Sequence, residues 1–358
     1  NGGIHKGYRY KDLQDNVIVT LGTQGLSKSA NGKLKDLAHF DNTFFGVHAK
    51  QARLMDPQLR LLLELTHECI VDAGLSPAEL RGSRTGVYVG VSSSETEELW
   101  AADPDKINGY ALTGCCRAMF PNRISYTFDL QGPSYAVDTA CSSSMFALAH
   151  AYSALRAGHC DAAVVAGCNL CLKPATSLSF HRLNMLSPEG RCAAFDAAGR
   201  GYVRSEAAVA VLLQRRGAAR RVYCTVRNAR TNTDGSKVQG ITFPAGAMQR
   251  RLAEETFREA HLEPRDVAYV EAHGTGTKVG DPQEVNAIAE LFCAGRSTPL
   301  LLGSVKSNMG HSEAASGLCS IAKVLVAMEK GVIPANLHYK SPNRAIPALS
   351  DGRIQDYY

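Results

Sequence analysis

This sequence of 358 residues has a single Trp and only 7% aromatic residues. It contains no run of 18 apolar residues and no apolar stretch behind the N-terminal charges of Asn1-Gly2-Gly3-Ile4-His5-Lys6, which argues against a membrane helix and a secretory signal. No short-period repeat and no low-complexity tract appears, so solenoids and long disordered linkers are excluded. Charge of one sign is also scarce: 39 Lys and Arg against 34 Asp and Glu leave a formal +5, too little for dedicated nucleic-acid binding. Eleven cysteines are too few for a disulfide scaffold and their odd count leaves a free thiol, so a reducing, cytoplasmic setting is expected.

What is present is an ordinary globular composition, 45% apolar and 20% charged, long enough for two domains or for one large domain of two halves. Helical and strand patterns alternate, which predicts an α/β architecture with a buried sheet. The clearest helix opens at Asp56, places Pro57 first, carries Leu59, Leu62, Leu63 and Ile70 at three-to-four spacing and closes near Gly74. Apolar runs at 87–91, 162–167 and 207–213 predict strands. Further on, a helix is expected over 246–260, strands at 267–272 and 299–305, and a helix over 313–329. Asp281 is expected to cap a helix whose first residue is Pro282, with Glu284 completing the cap. The division falls near 245, giving units of 1–245 and 246–358. The basic stretch Arg215-Arg216-Gly217-Ala218-Ala219-Arg220-Arg221 reads as a solvated connection, with docking of an acidic partner as the other reading.

Chemistry concentrates in three places. Cys141 lies in Ser134-Tyr135-Ala136-Val137-Asp138-Thr139-Ala140-Cys141-Ser142-Ser143-Ser144, where a strand is expected to turn into the apolar helix that starts with Met145. A thiol at a helix N-terminus feels the positive end of the dipole, which favours thiolate, and the small neighbours leave backbone amides free to meet an oxyanion. His273, in Glu271-Ala272-His273-Gly274-Thr275-Gly276-Thr277, and His311, in Lys306-Ser307-Asn308-Met309-Gly310-His311-Ser312-Glu313, each follow an expected strand. Ligands of open α/β sheets gather at the carboxyl ends of strands, so all three groups can converge on one crevice. One cysteine with two histidines suits an acyl carrier plus polarisation of a second carbonyl, whereas a cysteine hydrolase wants one histidine with an orienting carboxylate or amide. Lys306 is a candidate for fixing charge near His311. The run 274–280 fits neither nucleotide fingerprint, and Cys168-Asn169-Leu170-Cys171 and Cys115-Cys116 read as packed thiols, so no metal is called for.

Asp138–Ser144, His273–Thr277 with Gly280-Asp281-Pro282, and Lys306–His311 resemble, in this order, the β-ketoacyl synthase domains of type I fatty acid and polyketide synthases. The resemblance extends over nearly the whole chain, including Met55-Asp56-Pro57-Gln58 and Asn122-Arg123-Ile124-Ser125. Thr231–Gly235 and Gly240–Pro244 are similar to the animal fatty acid synthases, His311–Gly317 to polyketide synthases. It implies a thiolase-like αβαβα fold of two similar halves, commonly a homodimer within a larger synthase. It also implies that Cys141 receives an acyl chain from the phosphopantetheine arm of an acyl carrier protein. His273 and His311 would decarboxylate malonyl- or methylmalonyl-carrier protein, Lys306 would organise His311 through Glu313, and Thr275 and Thr277 would hold the arm. No cofactor bound by the domain itself is implied. The family also opens with an earlier strand and closes with a Gly-Phe-Gly-Gly loop that this sequence lacks, so a piece of a longer chain is expected. A thiolase acting on free acyl-CoA, a non-catalytic condensing-enzyme-like binding subunit, and an acyl hydrolase are the competing readings.

Overall fold

Alternate residues of a strand point to opposite faces, and here the two faces of one sheet feed two separate cores. Val87, Val89, Val164, Ala166, Ala208 and Ala210 enter one cluster, while Tyr88, Ala163, Val165, Ala207 and Val209 enter the other. A sheet covered on both faces explains why these segments read as continuous apolar runs. The computed structural model describes residues 17–19, 32–102, 105 and 108–356; Asn1–Lys6 and the final two tyrosines lie outside the described residues.

The first sheet contains β1 (Val17–Val19), β2 (Thr85–Gly90), β3 (Ser134–Val137), β4 (Ala162–Asn169) and β5 (Ala207–Gln214), in the order β1-β5-β4-β2-β3. β2 runs parallel to β3 and β4, and β5 is antiparallel to β4 and β1. The second sheet, among the described residues, is parallel with the order β6-β7-β8: β6 (Tyr269–Glu271), β7 (Leu300–Gly303) and β8 (Ile354–Asp356).

Helices fill the space outside and between the sheets. α1 (Pro57–Asp72) and α2 (Met119–Phe128) cover the outer face of the first sheet with Leu59, Leu62, Leu63, Ile70, Phe120 and Ile124. α1 has the expected start, with Pro57 first and the Asp56 carboxylate accepting from the Gln58 amide at 2.8 Å. α3 (Ser143–Ala157) lies on the inner face, together with α6 (Ser316–Lys330). α6 in turn reaches the second sheet, where Lys323 pairs with Glu271 at 2.7 Å. α4 (Gly246–Ala260) and α5 (Gly280–Phe292) close the far side, with Val285, Ala289 and Phe292 packed on Leu300 and Leu302. Five layers, α/β/α/β/α, result, and the segments that leave the carboxyl ends of β3, β6 and β7 line the same cleft.

Two glycines bring the helix that follows Cys141 down onto the first sheet. A Cβ on Gly90, the last residue of β2, would lie 2.5 Å from the Ser144 amide nitrogen, and one on Gly167 of β4 would lie 2.8 Å from the Ser144 Cβ. Replacing Gly90 by Ala therefore forces backbone apart at the start of α3. Overpacking of this kind costs about 1–3 kcal/mol, so Gly90→Ala should lower the urea midpoint and slow alkylation of Cys141; an unchanged midpoint would contradict the close approach.

Candidate active site

Cys141 sits in a single 3-10 turn, Ala140–Ser142, between β3 and α3. Ala140 just before it has φ +54°, a left-handed conformation that costs a non-glycine residue about 1–2 kcal/mol. Local bonds hold this elbow: Ser143 Oγ donates to the Ala140 carbonyl at 2.6 Å and accepts from the Thr139 amide at 2.9 Å. Ser316 Oγ at the head of α6 donates to the Cys141 carbonyl at 3.0 Å, so the two inner helices are tied at Cys141.

The expectation of a dipole-stabilised thiolate is not met. Burial in the cleft pushes the Cys141 thiol up to about 11, with the Glu313 carboxylate adding to it and Lys306 opposing. Removing a thiolate from water outweighs the favourable but weak field of one helix terminus. The Cys141 side chain therefore rests as a thiol near neutral pH.

His273 follows β6 on a loop that three side chains fix. The Glu284 carboxylate accepts from the His273 and Gly274 amides at 2.7 and 2.9 Å, and Ser304 Oγ donates to the Gly274 carbonyl at 2.9 Å. Asp281 accepts from the amides of Gly276, Thr277 and Phe195. These bonds correct the expected helix cap. α5 already begins at Gly280, Asp281 and Glu284 lie inside its first turns, and both carboxylates turn away from its axis to hold the loop. Loop amides with positive φ at Gly274 and Gly276 present donors that a local cap would leave unpaired.

His311 is buried, and its ring meets that of His273 edge to face with centroids 5.3 Å apart. The Glu313 amide donates to His311 Nδ1 at 3.2 Å, while Nε2 is buried without a partner among the described residues. Burial and the Lys306 cation push both imidazoles below the usual histidine range. The His273 residue itself is reached from the open cleft, so water softens its depression, and His311 carries the stronger effect. In a neutral ring whose Nδ1 accepts, the proton sits on Nε2. His311 thus offers one N–H donor into the cleft.

Cys141, His273, His311, Lys306, Thr275 and Thr277 all line one cleft of about 2340 Å³. The two threonine hydroxyls lie 3.3 Å apart beside the histidine loop. Lys306 follows β7 with 2% of its surface exposed; its backbone amide donates to Ser304 Oγ at 3.3 Å, and its ammonium makes no hydrogen bond among the described residues. Its expected link through Glu313 is absent, because Glu313 is held instead by Arg204, Nε to Oε1 at 2.5 Å. Arg204, Asp281 and Glu284 were not singled out as site-supporting groups from the sequence. The available signal was Arg204 and Glu206 standing directly before the wholly apolar run 207–213, a place where charge persists only if paired. The basic stretch 215–221 is tied across the fold, with Arg220 on Glu79 and Arg221 on Asp72.

A two-sheet, five-layer fold with a cysteine elbow and paired imidazoles defines a thiolase-like condensing enzyme. The pattern described as Beta-ketoacyl synthase, N-terminal domain, matches residues 11–219, and that described as Beta-ketoacyl synthase, C-terminal domain, matches 223–340. The chain belongs to the β-ketoacyl synthase family of acyltransferases. It is 59% identical over 311 residues to a fatty acid synthase of Anser anser anser, covering 87% of this chain and 88% of that sequence. It is 43% identical to the highly reducing polyketide synthase poxF of Penicillium oxalicum and 44% to the erythronolide synthase EryA2 of Saccharopolyspora erythraea. Those matches cover 91% and 90% of this chain but only 13% and 9% of the two synthases. Among solved structures, the oxazolomycin ketosynthase domain OzmH KS7 of Streptomyces albus JA3453 superposes with a TM-score of 0.85 at 36% identity, over 91% of this chain and 57% of that one.

A raised thiol value has a direct consequence in the free enzyme. The thiolate fraction, and with it the rate of Cys141 alkylation by iodoacetamide, should climb about tenfold per pH unit from pH 7 to 9. Mass spectrometry of the Cys141 peptide measures it; a rate already level at neutral pH would mean that a thiolate is present.

Proposed function

We propose that this chain extends acyl chains by decarboxylative Claisen condensation, on Cys141 and with both imidazoles acting as neutral donors. The observation that carries the reading is the pair of rings 5.3 Å apart in the same cleft as the thiol, with the His311 Nε2 hydrogen unpartnered. An acyl thioester on the phosphopantetheine arm of an acyl carrier protein loses its chain to the Cys141 sulfur. The Cys141 proton ends on the departing carrier thiol, and the main-chain amide of Cys141 is placed to meet the transient oxyanion.

A malonyl or methylmalonyl thioester then enters. Its C–C bond to the carboxylate breaks, carbon dioxide leaves, and the electron pair moves into an enolate whose oxygen lies between the two imidazole N–H groups. Neutral donors suit this step, since they stabilise a developing oxyanion without first surrendering a proton to it. The enolate carbon attacks the Cys141 thioester, the new C–C bond forms, and the sulfur leaves and is reprotonated. Lys306 supplies an unpaired positive charge that attracts the extender carboxylate to the cleft, and Thr275 and Thr277 offer hydroxyls to the arm. The second imidazole favours this chemistry over a thiolase acting on free acyl-CoA.

We further read the chain as a homodimeric component of a larger cytoplasmic synthase, either of fatty acids or of polyketides. Among the described residues, no helix is long and apolar enough to cross a membrane.

Replacing His311 by Ala should cut decarboxylation of malonyl-carrier protein by about 100- to 1000-fold, the usual cost of one oxyanion donor. Transfer of a radiolabelled acyl group to Cys141 should fall by far less. Equal loss of both steps would defeat this division of labour.

A further inference from the structure

Outside the groups that face the cleft, Arg204, 1% exposed, is the bulkiest of the fully buried side chains among the described residues. Its guanidinium grips Glu313 with a fork, Nε to Oε1 at 2.5 Å and NH2 to Oε2 at 3.2 Å, and donates through NH1 to Ser177 Oγ at 2.8 Å. The guanidinium carbon lies 5.3 Å from the Phe180 ring centroid, and Glu95 Oε1, which has no hydrogen-bond partner among the described residues, stands 4.0 Å away. A guanidinium with this many partners is fixed in orientation as well as in place.

The backbone beside Arg204 holds His311 directly. The His311 amide donates to the Val203 carbonyl at 2.7 Å, and the Ser205 amide donates to the His311 carbonyl at 2.9 Å, an isolated parallel bridge centred on Arg204 and His311. The side chain of the same arginine reaches past His311 to the carboxylate two residues on. Glu313 adopts φ +44°, a left-handed backbone that a side-chain residue keeps only when its surroundings enforce it. That turn aims the Glu313 amide at His311 Nδ1.

We propose that Arg204, by gripping Glu313 across the bridge, is the positioning residue that fixes His311 with its proton on Nε2. The hydrogen bond made by one ring nitrogen decides which tautomer the other presents. Without the fork, the left-handed turn relaxes, the amide leaves Nδ1, and the proton distributes over both nitrogens. Arg204 touches no substrate; it acts through Glu313. Replacing a buried ion pair by apolar groups of similar shape is commonly neutral for stability, so the pair's role is separable from folding. The functional consequence rests on the assignment of His311 as an enolate donor, but the tautomer itself does not.

The test uses the full chain carrying 15N-histidine, with a long-range proton–nitrogen spectrum to locate the His311 proton and separate rates for malonyl decarboxylation and Cys141 acylation. The unsubstituted chain should show only the Nε2-protonated ring. The double variant Arg204→Met with Glu313→Leu should show both tautomers, and its ratio of decarboxylation to acylation should drop at least about tenfold, the lower range for losing a group that orients a functional histidine. Arg204→Lys, which keeps the charge but loses the fork, should recover part of that ratio. If the double variant does not fold, Glu313→Gln decides, since its amide keeps the shape and weakens the grip. A folded variant with an Nε2-only spectrum and an unchanged ratio overturns the proposal. An unsubstituted chain that never decarboxylates malonyl thioesters would instead sink the assignment of function, with the spectrum still reading Arg204.

Discussion

Desolvation of the cleft floor is the constraint on which the rest depends. It holds Cys141 as a thiol and His311 as a neutral imidazole, and it pulls His273 the same way. In a cleft of this kind an ionised nucleophile would be costly, whereas neutral donors aimed at a future oxyanion carry little penalty until charge develops. Lys306 supplies the positive charge at this floor, and the same cation that opposes ionisation of the imidazoles favours ionisation of the sulfur. A neutral thiol in the free cleft is the electrostatic regime that follows.

Keeping the floor neutral requires the nearby carboxylates to be occupied elsewhere. Glu284 and Asp281 accept from loop amides on either side of His273, and Glu313 is claimed by Arg204. Each acid is thus turned from a competing base into part of the scaffold. Burial raises Asp281 to about 7 even though three amides donate to it, a sign of how dry this layer is. The fold supplies the remaining requirement, close approach, through Gly90 and Gly167 beneath the first turn of α3.

Much of this was legible in the sequence where a local rule and the tertiary structure agree. The α1 helix, with Asp56 and Pro57 at its head and leucines along one face, obeys periodicity and capping at once. The strands 162–167 and 207–213 are apolar throughout because both faces are covered, and they appear within a few residues of the expected limits. Cys141, His273 and His311 were visible because each sits among small residues just past a strand. What local rules could not reach were choices made by distant partners. Asp281 and Glu284 have the order of a helix start, but three-dimensional proximity of the glycine loop redirects both carboxylates. Arg204 and Glu313 are 109 positions apart, and no periodicity links them. The helix-terminus argument at Cys141 was correct in sign for the dipole and failed because burial, which a sequence does not display, is the larger effect.

The central claim is that one oxyanion shares both imidazoles in front of the Cys141 sulfur. A crystal structure of the acylated protein with an extender analogue, its thioester replaced by an amide, tests this most directly. The account predicts the analogue's carbonyl oxygen within about 2.7–3.2 Å of a nitrogen of His273 and of His311 Nε2. A carbonyl bound away from either ring, with the analogue held elsewhere in the cleft, would contradict it.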